Sequence, residues 1–173
     1  MASSVGMPKD VISRDSGALP WVWLSVGIFV ADQLTKYLAT TYLNVHQPVP
    51  VMPLFNLTLV HNTGVAFSFL SNAGNLARWL LVALALVVST IIVWWLKRLP
   101  SGQRITAIPL SLILGGAIGN VWDRIQYGYV VDFIDLYYND WHWPAFNIAD
   151  SAITVGAVIL IFGTLRPRPE QAG

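Results

Sequence analysis

Four stretches of the chain are apolar almost without interruption: Trp21–Ala39, Ala77–Leu96, Ile105–Trp122 and Ile148–Leu165. Each approaches the roughly 20 residues that carry a helix across a hydrocarbon layer about 30 Å thick. They predict four spanning helices, the shortest last; tilt or local thinning of the bilayer would accommodate it. Between them the period changes. Apolar and polar residues alternate from Phe55 to Leu59, as in a half-buried strand. Asn62-Thr63-Gly64 supplies turn chemistry, and a second apolar stretch follows it. The segment YVVDFIDLYYNDWHWPAFN, residues 129–147, is strand-like again, with a turn near Asn139-Asp140. Its Trp141, Trp143 and tyrosines suit a membrane–water interface. The predicted fold is a mainly α membrane protein: four transmembrane helices with small β elements on the outer face. Residues 1–17 read as a disordered N-terminal tail, 18–168 as one domain with outward loops at about 43–76 and 125–147, and 169–173 as a C-terminal tail. The first stretch is too long for the core of a cleavable signal peptide, and Asp32 and Lys36 interrupt its outer end.

Composition agrees with a membrane setting. Of the 173 residues, 55% are hydrophobic and only 11% charged, against about 25% charged in soluble proteins. A net charge of +1 leaves no basic footprint for nucleic acid. The chain has no Cys, which removes disulfides, thiolate zinc sites and a Cys nucleophile. His46, His61 and His142 are scattered and match no metal-ligand spacing. Neither a metal nor a cofactor is expected. The cations set an orientation. Lys9, Arg14, Lys97, Arg98, Arg104, Arg166 and Arg168 fall on one side of four spans, leaving Lys36, Arg78 and Arg124 near the other. Both termini are therefore expected in the cytoplasm, with the two long loops outside.

Orientation places the candidate chemistry. At about 1.5 Å per residue, Asp123 stands about 28 Å along the third span, at the outer edge of the hydrocarbon. Asp150 lies in the first turn of the fourth span, at a similar depth. Both close the same motif, Asn120-x-x-Asp123 and Asn147-x-x-Asp150, whose spacing puts Asn and Asp on one helix face. Gly116 precedes Asn120 on that face, and Gly115-x-x-x-Gly119 forms a neighbouring small-residue stripe that permits close helix approach.

Each residue also has a purely structural reading. Asn147 is a candidate N-cap with Asp150 at the third helical position. The glycines are candidates for packing alone. Arg124 is expected to reach outer-leaflet headgroups. Asp32 and Lys36, at i, i+4, are expected to neutralise each other and to anchor the first helix to the outer β elements. Asp132 and Asp135 would face opposite sides of a strand and make a poor pair with each other. Asp123 has no equally good structural reading, because a carboxylate at the end of a span is functional unless paired. Two carboxylates at one site share a proton, one acting as base on water and the other as acid toward a carbonyl. The helix dipoles favour charge on Asp150 and leave Asp123 the more frequent holder of the proton.

Five blocks in order resemble bacterial lipoprotein signal peptidase, signal peptidase II. They are Asp32-Gln33-x-Thr35-Lys36, Asn62-Thr63-Gly64-x-Ala66-Phe67, Gly115-Gly116-Ala117-x-Gly119-Asn120-x-x-Asp123-Arg124, Val131-Asp132-Phe133 and Phe146-Asn147-x-Ala149-Asp150. The resemblance covers roughly residues 20–165. It implies an aspartic endopeptidase of the bacterial cytoplasmic membrane, working near the outer leaflet. Its substrates would be diacylglyceryl-modified prolipoproteins, cut just before the lipidated Cys. It implies Asp123 and Asp150 as the catalytic pair, Asn62, Gly64, Asn120, Arg124 and Asn147 lining the site, and Asp32 and Lys36 in support. No metal is implied; the expected partners are substrate and membrane lipids, and the expected state is a monomer. Two other classes remain at this point: a transporter or channel subunit with Asp residues relaying protons, and a structural membrane protein.

Overall fold

The computed structural model describes residues 17–64 and 75–164. Residues 1–16, the apolar stretch after Gly64 with Ala66 and Phe67, and the end of the chain with Arg166 and Arg168 lie outside the described residues. The four apolar stretches are helices: α1 (Val22–Tyr42), α2 (Asn75–Arg98), α3 (Arg104–Gln126) and α4 (Ile148–Thr164). A single 3-10 turn, Leu19–Trp21, leads into α1, with Pro20 fixing φ at the helix start. Both α2 and α3 are long and apolar enough to cross a membrane, whereas α4 is apolar but shorter.

The helices surround α3, which packs against each of the other three; α1 also touches α4. This explains the division of their surfaces. Along α3 the residues from Ala107 to Asp123 are mostly buried. By contrast, α2 turns Trp79, Leu84, Val87, Ile91 and Trp94 outward, as a lipid-facing helix does. The glycines of α3 set its distances to two neighbours. A Cβ at Gly115 would stand 2.6 Å from Ser25 O of α1, and one at Gly116 would collide with Ala149 O of α4. The packing role is therefore real, and it brings three helices to one polar point.

The two ends differ in character. Toward the α2–α3 connection, Ile92, Leu96, Leu99, Ala107, Leu110 and Leu114 form an apolar cluster with Ala18. Ala18 N–H bonds to Leu96 O at 3.1 Å, tying the start of the fold to the end of α2. At the other end the two long connections meet in one antiparallel sheet, ordered β1 (Val49–Met52), β2 (Phe55–Asn62), β3 (Val130–Tyr138), β4 (Trp141–His142). Asn139, at φ +53, makes the expected turn between β3 and β4; Asn tolerates that conformation.

The pairing of β2 with β3, from Phe55↔Leu136 to Asn62↔Val130, joins the first loop to the second. Its register shifts between Leu57 and Val60. A bulge of this kind reverses which side chains face a given side. Asn56 and Thr58 thus point to one face, while Asn62, of the same parity, points to the other. The helices place the sheet over the polar ends of α1, α3 and α4, and the bulge aims Asn62 into that region.

Candidate active site

The deepest part of the site joins α1 to α3 and α4. Asp32 Oδ1 accepts the N–H of Ala149 at 2.9 Å, one of the first-turn amides that a helix cannot satisfy internally. Asp32 Oδ2 lies 2.8 Å from Lys36 Nζ, the expected i, i+4 pair. Lys36 Nζ also stands 2.8 Å from Asp123 Oδ2 and donates to Asn120 Oδ1 at 3.2 Å. All three charged groups are buried, with Asp32 and Asp123 at 0% exposure. The pair anchors α1 to the other helices rather than to the β elements, because Lys36 finds its second carboxylate on α3. Gly119 leaves the room: a Cβ there would be 2.6 Å from Asp32 Oδ2.

Asp123 is fully engaged. Beyond Lys36, its Oδ2 accepts the backbone N–H of Val131 at 3.1 Å, and its Oδ1 accepts Gln33 Nε2 at 2.9 Å. The helix dipoles therefore do not assign a proton here. They act as about half a charge at a helix end, whereas Lys36 brings a whole charge into contact.

Asn147 and Asp150 cap α4 reciprocally. Asn147 Oδ1 accepts Asp150 N–H at 2.9 Å, and Asp150 Oδ2 accepts Asn147 N–H at 3.3 Å, the geometry of a capping box. The capping reading is right, and it coexists with site contacts. Asp150 Oδ1 accepts Asn120 Nδ2 at 2.7 Å. Asn147 Nδ2 reaches Asp132 Oδ1 at 2.7 Å, Val131 O at 3.2 Å and Asn120 Oδ1 at 3.3 Å.

The sheet contributes Asp132, to which the sequence reading gave no role. It sits in a run of four buried residues that opens β3. Asn62 Nδ2 donates to Asp132 Oδ2 at 2.9 Å, while Asn62 Oδ1 accepts Gly64 N–H at 2.8 Å and holds the turn. Burial pushes the Asp132 carboxyl up to about 7; the Asn62 hydrogen bond opposes this, and the nearby charge of Asp150 adds to it. Asp135 lies on the other face, as its spacing from Asp132 predicts. Burial raises it too, but hydrogen bonds from His142, Thr58 and Asn56 outweigh that and hold it below the usual range. The signal for Asp132 was in the sequence: a carboxylate inside an apolar strand, within a block of the resemblance.

Arg124 turns inward rather than to headgroups. Its Nη1 donates to Asn120 O at 3.2 Å, and the half-buried guanidinium interacts with the charges of Asp150, Asp132 and Asp123. All the residues picked from the sequence (Asp32, Lys36, Asn62, Gly64, Asn120, Asp123, Arg124, Asn147 and Asp150) thus join one network. Asp132 and Gln33 complete it. Among the described residues no three His, Asp or Glu side chains come together as a metal ion would require. The arrangement offers two carboxylates coupled by charge, one of them able to keep a proton near neutrality, beside a cation. That is equipment for acid–base chemistry on water.

Comparison with known proteins follows the same line. The family model for Signal peptidase (SPase) II matches residues 24–166. The chain is 51% identical over 148 residues to the lipoprotein signal peptidase of Alteromonas mediterranea, covering 86% of this chain and 81% of that one. It is 51% identical over 154 residues to that of Pseudomonas aeruginosa strain UCBPP-PA14, covering 88% and 91%. A solved bacterial membrane enzyme superposes with a TM-score of 0.76 at 29% identity, covering 86% of this chain and 94% of that one.

Proposed function

The chain belongs to the signal peptidase II family, and we propose that its Asp132 and Asp150 form the working carboxylate pair. It is an aspartic protease that removes signal peptides from prolipoproteins. The finer reading is that the substrate carries a diacylglyceryl group and is cut just before the lipidated Cys.

One observation carries the choice of residues: Asp132 and Asp150 both rest on Asn147, and the charge of Asp150 is felt at Asp132, whose carboxyl is lifted to about 7. Asp150 stands at the positive end of α4 and accepts two hydrogen bonds, so it is held as the base. It takes a proton from a water, whose oxygen attacks the scissile carbonyl carbon. Asp132 gives its proton to the carbonyl oxygen. The tetrahedral intermediate then collapses: the C–N bond breaks, the amine leaves with the proton that Asp150 received, and a hydroxyl proton of the intermediate returns to Asp132, leaving the carboxylic acid product and both aspartates in their starting states. Arg124 offsets the negative charge of the pair. This reading replaces the Asp123–Asp150 pairing expected from the two Asn-x-x-Asp motifs. Asp123, with its acceptors taken by Lys36, Gln33 and Val131, positions the strand that bears Asp132.

The same proposal extends to the membrane. Four crossings, cytoplasmic termini and an external sheet are supported by where the cations end up. On the outer side, Lys36 is paired within the site, Arg78 donates to Ile125 O at 3.0 Å, and Arg124 folds onto α3. The inner side keeps Lys97 and Arg98 at the end of α2 and Arg104 at the start of α3. Every group in the site comes from one chain, so a monomer suffices.

The experiment is cleavage of a lipidated precursor by purified protein. Asp132→Asn and Asp150→Asn should each abolish the cut before the Cys while the fold is kept. Near-normal turnover by Asp132→Asn, with folded Asp123→Asn inactive, would return the pair to Asp123 and Asp150.

A further inference from the structure

We propose that Gln33 is a positioning residue for the proteolytic reaction, setting the carboxylate of Asp123 and through it the strand that carries Asp132. The Gln33 amide nitrogen faces three oxygens: Asp123 Oδ1 at 2.9 Å, Asp32 Oδ2 at 3.1 Å and, at the longer 3.5 Å, Gly119 O. All three are acceptors, so the amide is oriented nitrogen-inward. Asp32 and Asp123 are thus bridged twice, by the Lys36 ammonium and by a neutral amide. The two bridges do different work. Lys36 supplies charge to one oxygen of each carboxylate. Gln33 supplies the hydrogen-bond donor found on Asp123 Oδ1, among the described residues, in a side chain closed to solvent.

A carboxylate held at one oxygen by an ammonium can still rotate about its own axis. Held at the other oxygen by Gln33, it keeps Oδ2 aimed at the N–H of Val131. Val131 is the residue before Asp132, so this contact fixes where β3 crosses the site. Gln33 also lines a 220 Å³ cavity with Lys36, Tyr37, Asp123, Tyr127 and Tyr129, on the side of Asp123 facing α1. No contact places it against Asp132 or Asp150, so it works through Asp123. The inference rests on Asp132 being one of the working pair.

The test compares Gln33→Leu and Gln33→Glu with the unaltered protein on a lipidated precursor, across pH. Gln33→Leu has the bulk but no donor. It should lower kcat on the order of 10- to 100-fold, as a misplacement of the reacting groups by about 1 Å does, with KM little changed. Gln33→Glu can donate to Asp123 only when its new carboxyl is protonated; ionised, it faces Asp32 and Asp123 as a third negative charge, against Lys36 in contact with both and the Arg124 charge that reaches Asp123 at longer range. Its activity relative to the unaltered protein should therefore climb as pH falls, while the ratio for Gln33→Leu stays flat. A kcat within about twofold of normal for Gln33→Leu would overturn the proposal. So would a flat pH ratio for Gln33→Glu, an outcome that stands even if Gln33→Leu fails to fold. Asp132→Asn is run alongside. Full turnover by that variant would remove the Asp132 reading itself and leave Gln33 acting on Asp123 alone.

Discussion

Replacing Asn62 with Leu should move the alkaline limb of the pH–rate profile upward. Asn62 Nδ2 donates to Asp132 Oδ2 at 2.9 Å. A donor on a carboxylate favours its charged form, so this bond holds the Asp132 proton less tightly than burial alone would. A hydrogen bond to a charged group is worth about 1.5–3 kcal/mol, and one pH unit corresponds to about 1.4 kcal/mol. Removing it should raise the limb by about 1–2 units, from near 7 to about 8 or 9. The sign is fixed: losing a partner of the ionised form makes the proton harder to remove, and the acid stays competent to a higher pH. The readout is kcat/KM on a lipidated precursor, which reports the free enzyme. The limb belongs to the coupled pair rather than to either carboxylate alone. Asn62 also holds Gly64 N–H, so the height of the profile will drop; the position of the limb is what carries the information. A limb that stays put or moves down in Asn62→Leu would refute both the role of Asn62 and the protonated Asp132.

Lys36→Met strips the cation from two buried carboxylates and should destabilise the protein by about 3–5 kcal/mol; a melting temperature close to normal would contradict the ion-pair network. Gly119→Ala puts a methyl 2.6 Å from Asp32 Oδ2 and should cost about 1–3 kcal/mol by overpacking, with a reduced kcat; unchanged stability would show that Asp32 has room to move. For topology, single cysteines at Ser101 and Asp140 should react with an impermeant reagent from opposite sides, Asp140 from outside intact cells. Asp140 is chosen over Asn139 because Asn139 holds φ +53, where Cys would be strained. Labelling of both from one side would remove the four-crossing arrangement.

The helices were legible because lipid leaves only one signal to read. A segment that must satisfy its own amides and face hydrocarbon shows as an apolar run; the observed bounds of α1 to α4 follow the four runs closely, and α2 and α3 are long and apolar enough to cross a membrane. The strands were legible one at a time from their alternation. Their pairing was not, because the register between β2 and β3 depends on a bulge that no local pattern marks. That bulge turns Asn62 toward the site, so the sheet side of the chemistry was hidden along with it.

The same distinction explains the two aspartates. Asp123 stood out because a carboxylate at the end of a span is costly unless something pays for it. What does so is Lys36 with Gln33, the latter 90 residues away in the sequence and both adjacent only once the α3 glycines draw α1 in. A charge that looked unpaired is held by an ammonium and two N–H donors, as Asp32 is. Asp132 was weighed only as a poor partner for Asp135 and given no role, for the opposite reason. On a strand, a single polar residue among valines and phenylalanine passes for part of the alternation. Only the fold shows that it is buried with two amide partners and a second carboxylate in range. Reactivity here follows from incomplete compensation. Asp123 has an ammonium in contact with it, whereas Asp132 has the neutral amides of Asn62 and Asn147 in contact and the charges of Lys36 and Arg124 only at longer range; under the proposed function it is this less compensated carboxyl that supplies the proton.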